Sequence, residues 1–129
     1  MVHLTDPIGD LVTRLRNAQH ARKTFCRAPW SKIKLDLCEL LKREGWIEGV
    51  EVLGEAPKQE IEVTFAADKP VLTLRRMSKP GRRLYAGYDV LKPVLSGHGM
   101  AVLTTSEGLL TDKEARKRKI GGEVLCTIA

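Results

Sequence analysis

Three adjacent hydroxyls and a glycine, Thr104-Thr105-Ser106-x-Gly108, follow a short apolar run, Met100-Ala-Val-Leu103. A polar loop at the end of a strand offers small donor–acceptor groups on backbone that a ligand can approach closely. Such groups suit an edge-rich polar surface such as folded RNA, whose shallow minor groove displays 2′-hydroxyls and base edges. A second constellation is cationic. Arg75, Arg76, Lys79, Arg82 and Arg83 cluster around Ser78-Lys-Pro-Gly81, and Tyr85 follows. That grouping combines backbone grip with a stacking or hydroxyl contact.

Catalysis is not indicated. Ser106, His98 and Asp112 are present, but Ser106 lacks the strand–turn–helix elbow and its GxSxG, and no base is placed by sequence. His3, His20 and His98 form no metal spacing, and Gly97-His98-Gly99 lacks the third glycine and preceding strand of a dinucleotide site. No cofactor is expected.

The elements that must position these groups are readable from periodicity and punctuation. Asp6-Pro7 starts a helix, with Asp6 as N-cap and Pro7 at the first helical position. Ile8, Leu11, Val12, Leu15 and Ala18 form its buried stripe, while Arg14 and Asn17 share one outward strip and Arg16 and His20 another. Thr24–Pro29 is short and extended. Ser31 caps a second helix, stopped by Gly45, with Ile33, Leu37, Leu40 and Leu41 on its apolar side. Lys32 and Lys34 lie in its first turn, where the macrodipole disfavours cations, and a nearby phosphate would offset that.

Trp46–Leu53 reads as a strand. Ile61, Val63 and Phe65 alternate with Glu60, Glu62 and Thr64 in a half-buried second strand, and Val71–Arg76 returns as a third. Residues 89–96 read as a short helix despite Pro93. After the hydroxyl loop, Thr111-Asp-Lys-Glu114 is a capping box opening a short helix that carries Lys113, Arg116, Lys117, Arg118 and Lys119. Gly121-Gly122 breaks it, and Val124, Cys126 and Ile128 alternate in a last strand. The expected fold class is α+β, with two helices on a three-stranded antiparallel sheet over residues 1–77. A mostly β subdomain with short helices, carrying the main binding surface, is expected over 78–129.

Composition narrows the partner. Lys and Arg number 22 against 16 Asp and Glu, a formal charge of +6 that favours a polyanion, with nucleic acid the commonest. Hydrophobic residues make up 43% of the 129, enough for a core. Cys26, Cys38 and Cys126 are odd in number and far apart, which fits reduced core thiols in a cytosolic protein. No run of apolar residues is long enough to span a membrane, and no secretory signal is evident.

Many of these residues together resemble one family. Asp6-Pro-Ile8, Thr13-Arg-Leu-Arg-Asn-Ala18, Ser31-Lys32, Glu44-Gly45, Ser78-Lys-Pro-Gly81 and Tyr85 all look like the bacterial form of ribosomal protein eight of the small subunit. So do Thr105-Ser106-x-Gly108, Thr111-Asp112, Glu114-Ala-Arg116 and Gly121-Gly-Glu-Val-Leu-Cys126, in order and close to full length.

The resemblance implies a two-domain protein that binds the central domain of small-subunit ribosomal RNA directly and helps its assembly. Its C-terminal loop, here Thr104, Thr105, Ser106 and Gly108, would meet the minor groove of an irregular RNA helix. Tyr85 and Glu123 match positions on the same surface. Arg14, Asn17, Lys32 and Lys34 match N-terminal contacts, and ribosomal protein five of the small subunit is the implied neighbour. Lys79, Arg82, Arg83 and Arg116 complete the expected RNA-binding set, in the cytoplasm and within the ribosome. Three residues depart from the family pattern. Thr104 replaces a serine, Glu107 stands where lysine is frequent, and Pro93 falls one place late.

Overall fold

The computed structural model describes residues 6–66, 72–78, 81–87 and 99–129. Two compact units emerge: one formed by Asp10–Leu72, the other by residues 6–9 with the described part of 73–129.

Helix α1 (Pro7–His20) begins as its sequence dictates: an Asp6 carboxylate oxygen accepts from the Gly9 N–H at 3.1 Å. Ile8, Leu11, Val12, Leu15 and Ala18 are all buried. Strand β1 (Phe25–Pro29) follows, then α2 (Lys32–Arg43), whose N-cap Ser31 accepts from the Lys34 N–H. The helix ends in a Schellman arrangement. Trp46 N–H donates to Leu41 O and Gly45 N–H to Lys42 O, with Gly45 at φ +82°. That wrap commits the Trp46 backbone to the helix end, so strand β2 spans Gly49–Leu53 and does not start at Trp46.

Strand β3 (Glu60–Thr64) lies between the other two, antiparallel to both, in the order β1-β3-β2. Ile61 and Val63 are fully buried beneath it, while Glu62 sits opposite Arg27 on one side and Glu51 on the other. The third strand of this sheet is therefore Phe25–Pro29. The described part of the 71–76 segment, β4 (Leu74–Arg76), pairs elsewhere.

Its partner belongs to a five-stranded antiparallel sheet that also contains β5 (Tyr85–Ala86), β6 (Met100–Thr105), β7 (Gly108–Thr111) and β8 (Gly122–Ile128). Both β4 and β5 pair with β8, which pairs in turn with β6, and β6 with β7. Helix α3 (Asp112–Arg118) starts from the capping box: Thr111 Oγ1 accepts from Glu114 N–H, and the Glu114 carboxylate accepts from Thr111 N–H. Ala101, Leu103 and Ala115 form a buried cluster with Val124 packed against it. The helical reading of residues 89–96, with Pro93, lies outside the described residues.

Candidate nucleic-acid interface

The hydroxyl loop is the tip of the β6–β7 hairpin. Thr105 pairs with Gly108, which leaves Ser106 and Glu107 as the two turn residues. Gly108 carries φ +96°, and neither Ser106 nor Glu107 adopts a positive φ. A turn of ordinary hand followed by a glycine in the left-handed region reverses the strand and gives a backbone reason for Gly108. Thr105 is spent on holding this shape: its Oγ1 donates to Gly108 O at 2.9 Å and accepts from Glu107 N–H at 3.1 Å. Ser106 is exposed and makes no hydrogen bond among the described residues. The neighbouring hydroxyls thus divide into one that builds the turn and one presented by it.

Thr104 belongs to a different arrangement. Tyr85 sits opposite Glu123, Glu123 opposite Thr104, and Thr104 opposite Leu109, so one row crosses β5, β8, β6 and β7. Directly opposed residues in antiparallel pairs project from the same side of the sheet. Leu103 and Val124 project from the other side, into the cluster with Ala115. A β-bulge makes this possible. The β6–β8 register slips between Val102 and Leu103, which puts Glu123 opposite Thr104 on the side that also carries the fully buried Val102 and Cys126; the Glu123 side chain there keeps 12% exposure. Tyr85 is 74% exposed at the end of the row. Gly122 lets the strands close up, because a Cβ there would collide with the carbonyl oxygen of Thr104.

Glu123 is held from two sides. Its Oε2 accepts from the Ser78 hydroxyl and from Arg83 Nη1 at 3.0 Å. Ser78 is wholly buried, and its oxygen also accepts from Leu84 N–H at 3.1 Å. Burial pushes the Glu123 carboxyl upward, but the Ser78 hydroxyl and the Arg83 guanidinium outweigh it and hold the group below the ordinary range. An ionised acceptor, aimed by a buried hydroxyl, therefore stands between Tyr85 and Thr104. Ser78 is the residue that sequence reasoning missed; its place beside a proline-glycine turn suggested only loop chemistry.

The cations are less free than their number suggests. Arg116 pairs with buried Asp112 at 3.0 Å, and Asp112 also accepts from Ala101 N–H, so Arg116 serves the base of α3. Arg118 pairs at 3.0 Å with Glu107 on the hairpin tip, where both remain half-exposed. Arg76 grips both oxygens of Asp6 and donates to Leu125 O at 2.6 Å. Arg82 and Arg83 are exposed, and Lys79 lies outside the described residues.

In the Asp10–Leu72 unit, Arg14 and Asn17 are exposed on α1, with Arg14 Nε on Asp10 at 3.0 Å. Lys32 is largely exposed, 4.0 Å from Asp36. Lys34 corrects the sequence reading: it is buried, and its ammonium donates to Asp10 and to Pro29 O. Internal acceptors, not an outside phosphate, offset its place at a helix start. Cys26, Cys38 and Cys126 are free thiols buried in the core, and burial pushes Cys38 and Cys126 up to about 12.

The family model of ribosomal protein S8 matches residues 6–129. Small ribosomal subunit protein uS8 of Delftia acidovorans is 46% identical over 98% of both chains. The uS8 proteins of Paracidovorax citrulli and Verminephrobacter eiseniae are each 44% identical over the same share.

Proposed function

The chain belongs to the ribosomal protein S8 family, and from that premise we propose that it binds small-subunit ribosomal RNA directly through the end of its five-stranded sheet marked by exposed Tyr85 and the β6–β7 hairpin tip. It is a structural protein of the small ribosomal subunit and not an enzyme. The observation that carries the reading is the single row Tyr85–Glu123–Thr104, beside a hairpin tip that presents Ser106. A phenol supplies a stacking surface, a carboxylate accepts from base amines or ribose hydroxyls, and a hydroxyl does either. Gly108 leaves open space beside the turn, so RNA backbone can come close.

Arg14, Asn17, Lys32, Lys79 and Arg82 act as phosphate and ribose contacts in this reading, positioning the pair without reading sequence, while Arg83 acts through the Glu123 carboxylate that it holds. Lys34 and Arg116 support the fold behind those contacts. The target is an irregular helix in the central domain of the RNA, the neighbour is ribosomal protein five of the small subunit, and the compartment is the cytoplasm. Residues 78–129 carry the specificity, and residues 1–77 add grip.

Filter binding tests this on the cognate helix and on a scrambled helix of equal length. Tyr85→Ala is expected to weaken cognate binding by about 1–3 kcal/mol, the worth of one base stack, and to leave scrambled binding nearly unchanged. Arg14→Ala should weaken both alike. Equal losses for Tyr85→Ala on both RNAs would mark a general RNA chaperone and overturn the reading.

A further inference from the structure

A groove of about 910 Å³ runs between the C-terminal end of α1 and strand β1, within the Asp10–Leu72 unit. Its lining combines an aromatic residue with several cations. Phe25 stands at one side, 44% exposed on an edge strand, where a phenyl ring gains little from its own fold. The Arg27 guanidinium lies 5.4 Å from the ring centroid, and its Nε is fixed by Glu62 at 2.9 Å. Arg27 and Phe25 are two residues apart on one strand, so they share a face and form a short cation–aromatic stack.

Arg22 and Lys23, in the turn entering β1, also line the groove, and neither forms an ion pair among the described residues. Arg22 adopts φ +58°, a conformation uncommon for a residue with a side chain. Asn17 on α1 also lines the groove.

We propose that this groove binds one unpaired nucleotide of the ribosomal RNA, its base stacked on Phe25 and its phosphate held by Arg22 and Lys23. The inference rests on the RNA-binding reading above and adds a second site to it. An exposed aromatic offers a π-face to any base, and the adjacent cations supply attraction for the backbone, which together define single-strand recognition. A protein partner fits less well, because the groove brings several cations to its lining and the acids near them are already paired with Arg14 and Arg27.

The test is ultraviolet cross-linking of the full chain to protein-free small-subunit RNA, with peptide mapping, beside filter binding to the same RNA. Cross-links are expected at Phe25 as well as in the 104–108 hairpin. Phe25→Leu, which keeps an apolar side chain on the strand, should abolish the first, leave the second, and weaken binding about tenfold; Phe25→Trp should restore affinity. Hairpin cross-links without any at Phe25, or Phe25→Leu binding as tightly as wild type, would overturn the site. So would a Phe25→Leu defect that appears only when other ribosomal proteins are present, which would assign the groove to a protein. Wild-type protein with no cross-link in either region would refute the parent RNA-binding reading, and this site with it.

Discussion

Thr105→Ala and Ser106→Ala remove chemically similar groups one residue apart and should behave differently. The Thr105 hydroxyl makes two bonds inside the turn, to Gly108 O and from Glu107 N–H. A net hydrogen bond is worth about 0.5–1.5 kcal/mol, and at this partly exposed tip water can take over each lost partner, so both belong at the low end. Thr105→Ala should therefore cost about 1 kcal/mol of stability. RNA affinity should fall by a similar amount, because the bound turn must then be ordered at the expense of binding. Thr105→Ser keeps the hydroxyl and should recover most of both losses.

Ser106 has no internal partner among the described residues, so Ser106→Ala should leave stability within about 0.5 kcal/mol. It should nevertheless weaken cognate RNA binding by about 1–3 kcal/mol if the hydroxyl meets a base edge or ribose. Denaturant unfolding and filter binding on the same preparations give both quantities. A Thr105→Ala protein of unchanged stability but weakened binding would mean that Thr105 itself touches RNA, and the division between turn-building and presented hydroxyls would be wrong.

Other consequences concern charge and closeness of packing. Burial pushes the Asp6 carboxyl upward, but the bond from Arg76, with that from Gly9, holds it below its ordinary value. A carboxyl depressed in the folded state stabilises above its unfolded pKa and ceases to do so as pH falls through the folded one. Asp6→Asn should thus cost about 1–3 kcal/mol at neutral pH, by leaving Arg76 unpaired, and should flatten the loss of stability below about pH 4; an unchanged acid limb in urea titrations across pH would contradict this. Gly122→Ala should destabilise by about 1–3 kcal/mol and impair RNA binding, because the β8–β6 spacing sets the Tyr85–Glu123–Thr104 row; wild-type unfolding would show that the strand can yield. Glu107→Lys removes a half-exposed pair with Arg118 worth about 0–1 kcal/mol and adds attraction for phosphate. Its RNA affinity should rise at low salt, with a log–log salt slope steeper by about 1, and an unaltered slope would place the hairpin tip away from the RNA backbone.

Much of this architecture was legible because punctuation and periodicity agreed. Asp6-Pro7, Ser31, Gly45 and the Thr111–Glu114 box all mark helix ends by local hydrogen bonding, which sequence alone encodes. Non-local pairing was less readable. Nothing local tells Leu74–Arg76 to join β8 and leave Phe25–Pro29 beside β3, since both are short and either satisfies a sheet edge. Lys34 escaped for the same reason: its acceptors, Asp10 and Pro29 O, lie on other elements. In the site, Tyr85, Glu123 and Thr104 were each nameable, but their row depends on a bulge that no alternation pattern reveals. Ser78 was visible only as part of a turn motif shared with the family, and its role was not, because a buried hydroxyl matters only through what it touches.

On the proposed RNA-binding reading, the pattern of pairing would let a basic chain discriminate among RNAs. Arg83, Arg116 and Arg118 each face a carboxylate, of Glu123, Asp112 and Glu107. Around the hairpin and the row, positive charge is therefore partly neutralised where base edges would be met. Unscreened charge close to a reading surface would hold any phosphate backbone almost equally well, and discrimination would shrink against that shared attraction. Leaving the attraction to an exposed cation such as Arg82 would reserve the close contacts for groups with directional bonds. A hydroxyl or an aimed carboxylate gains only when a complementary donor or acceptor stands opposite, and a mismatched surface leaves it desolvated without a partner. Glu123 would be the clearest instance: Ser78 and Arg83 hold it ionised and oriented in the free protein, so part of the ordering cost of the proposed recognition would be met during folding.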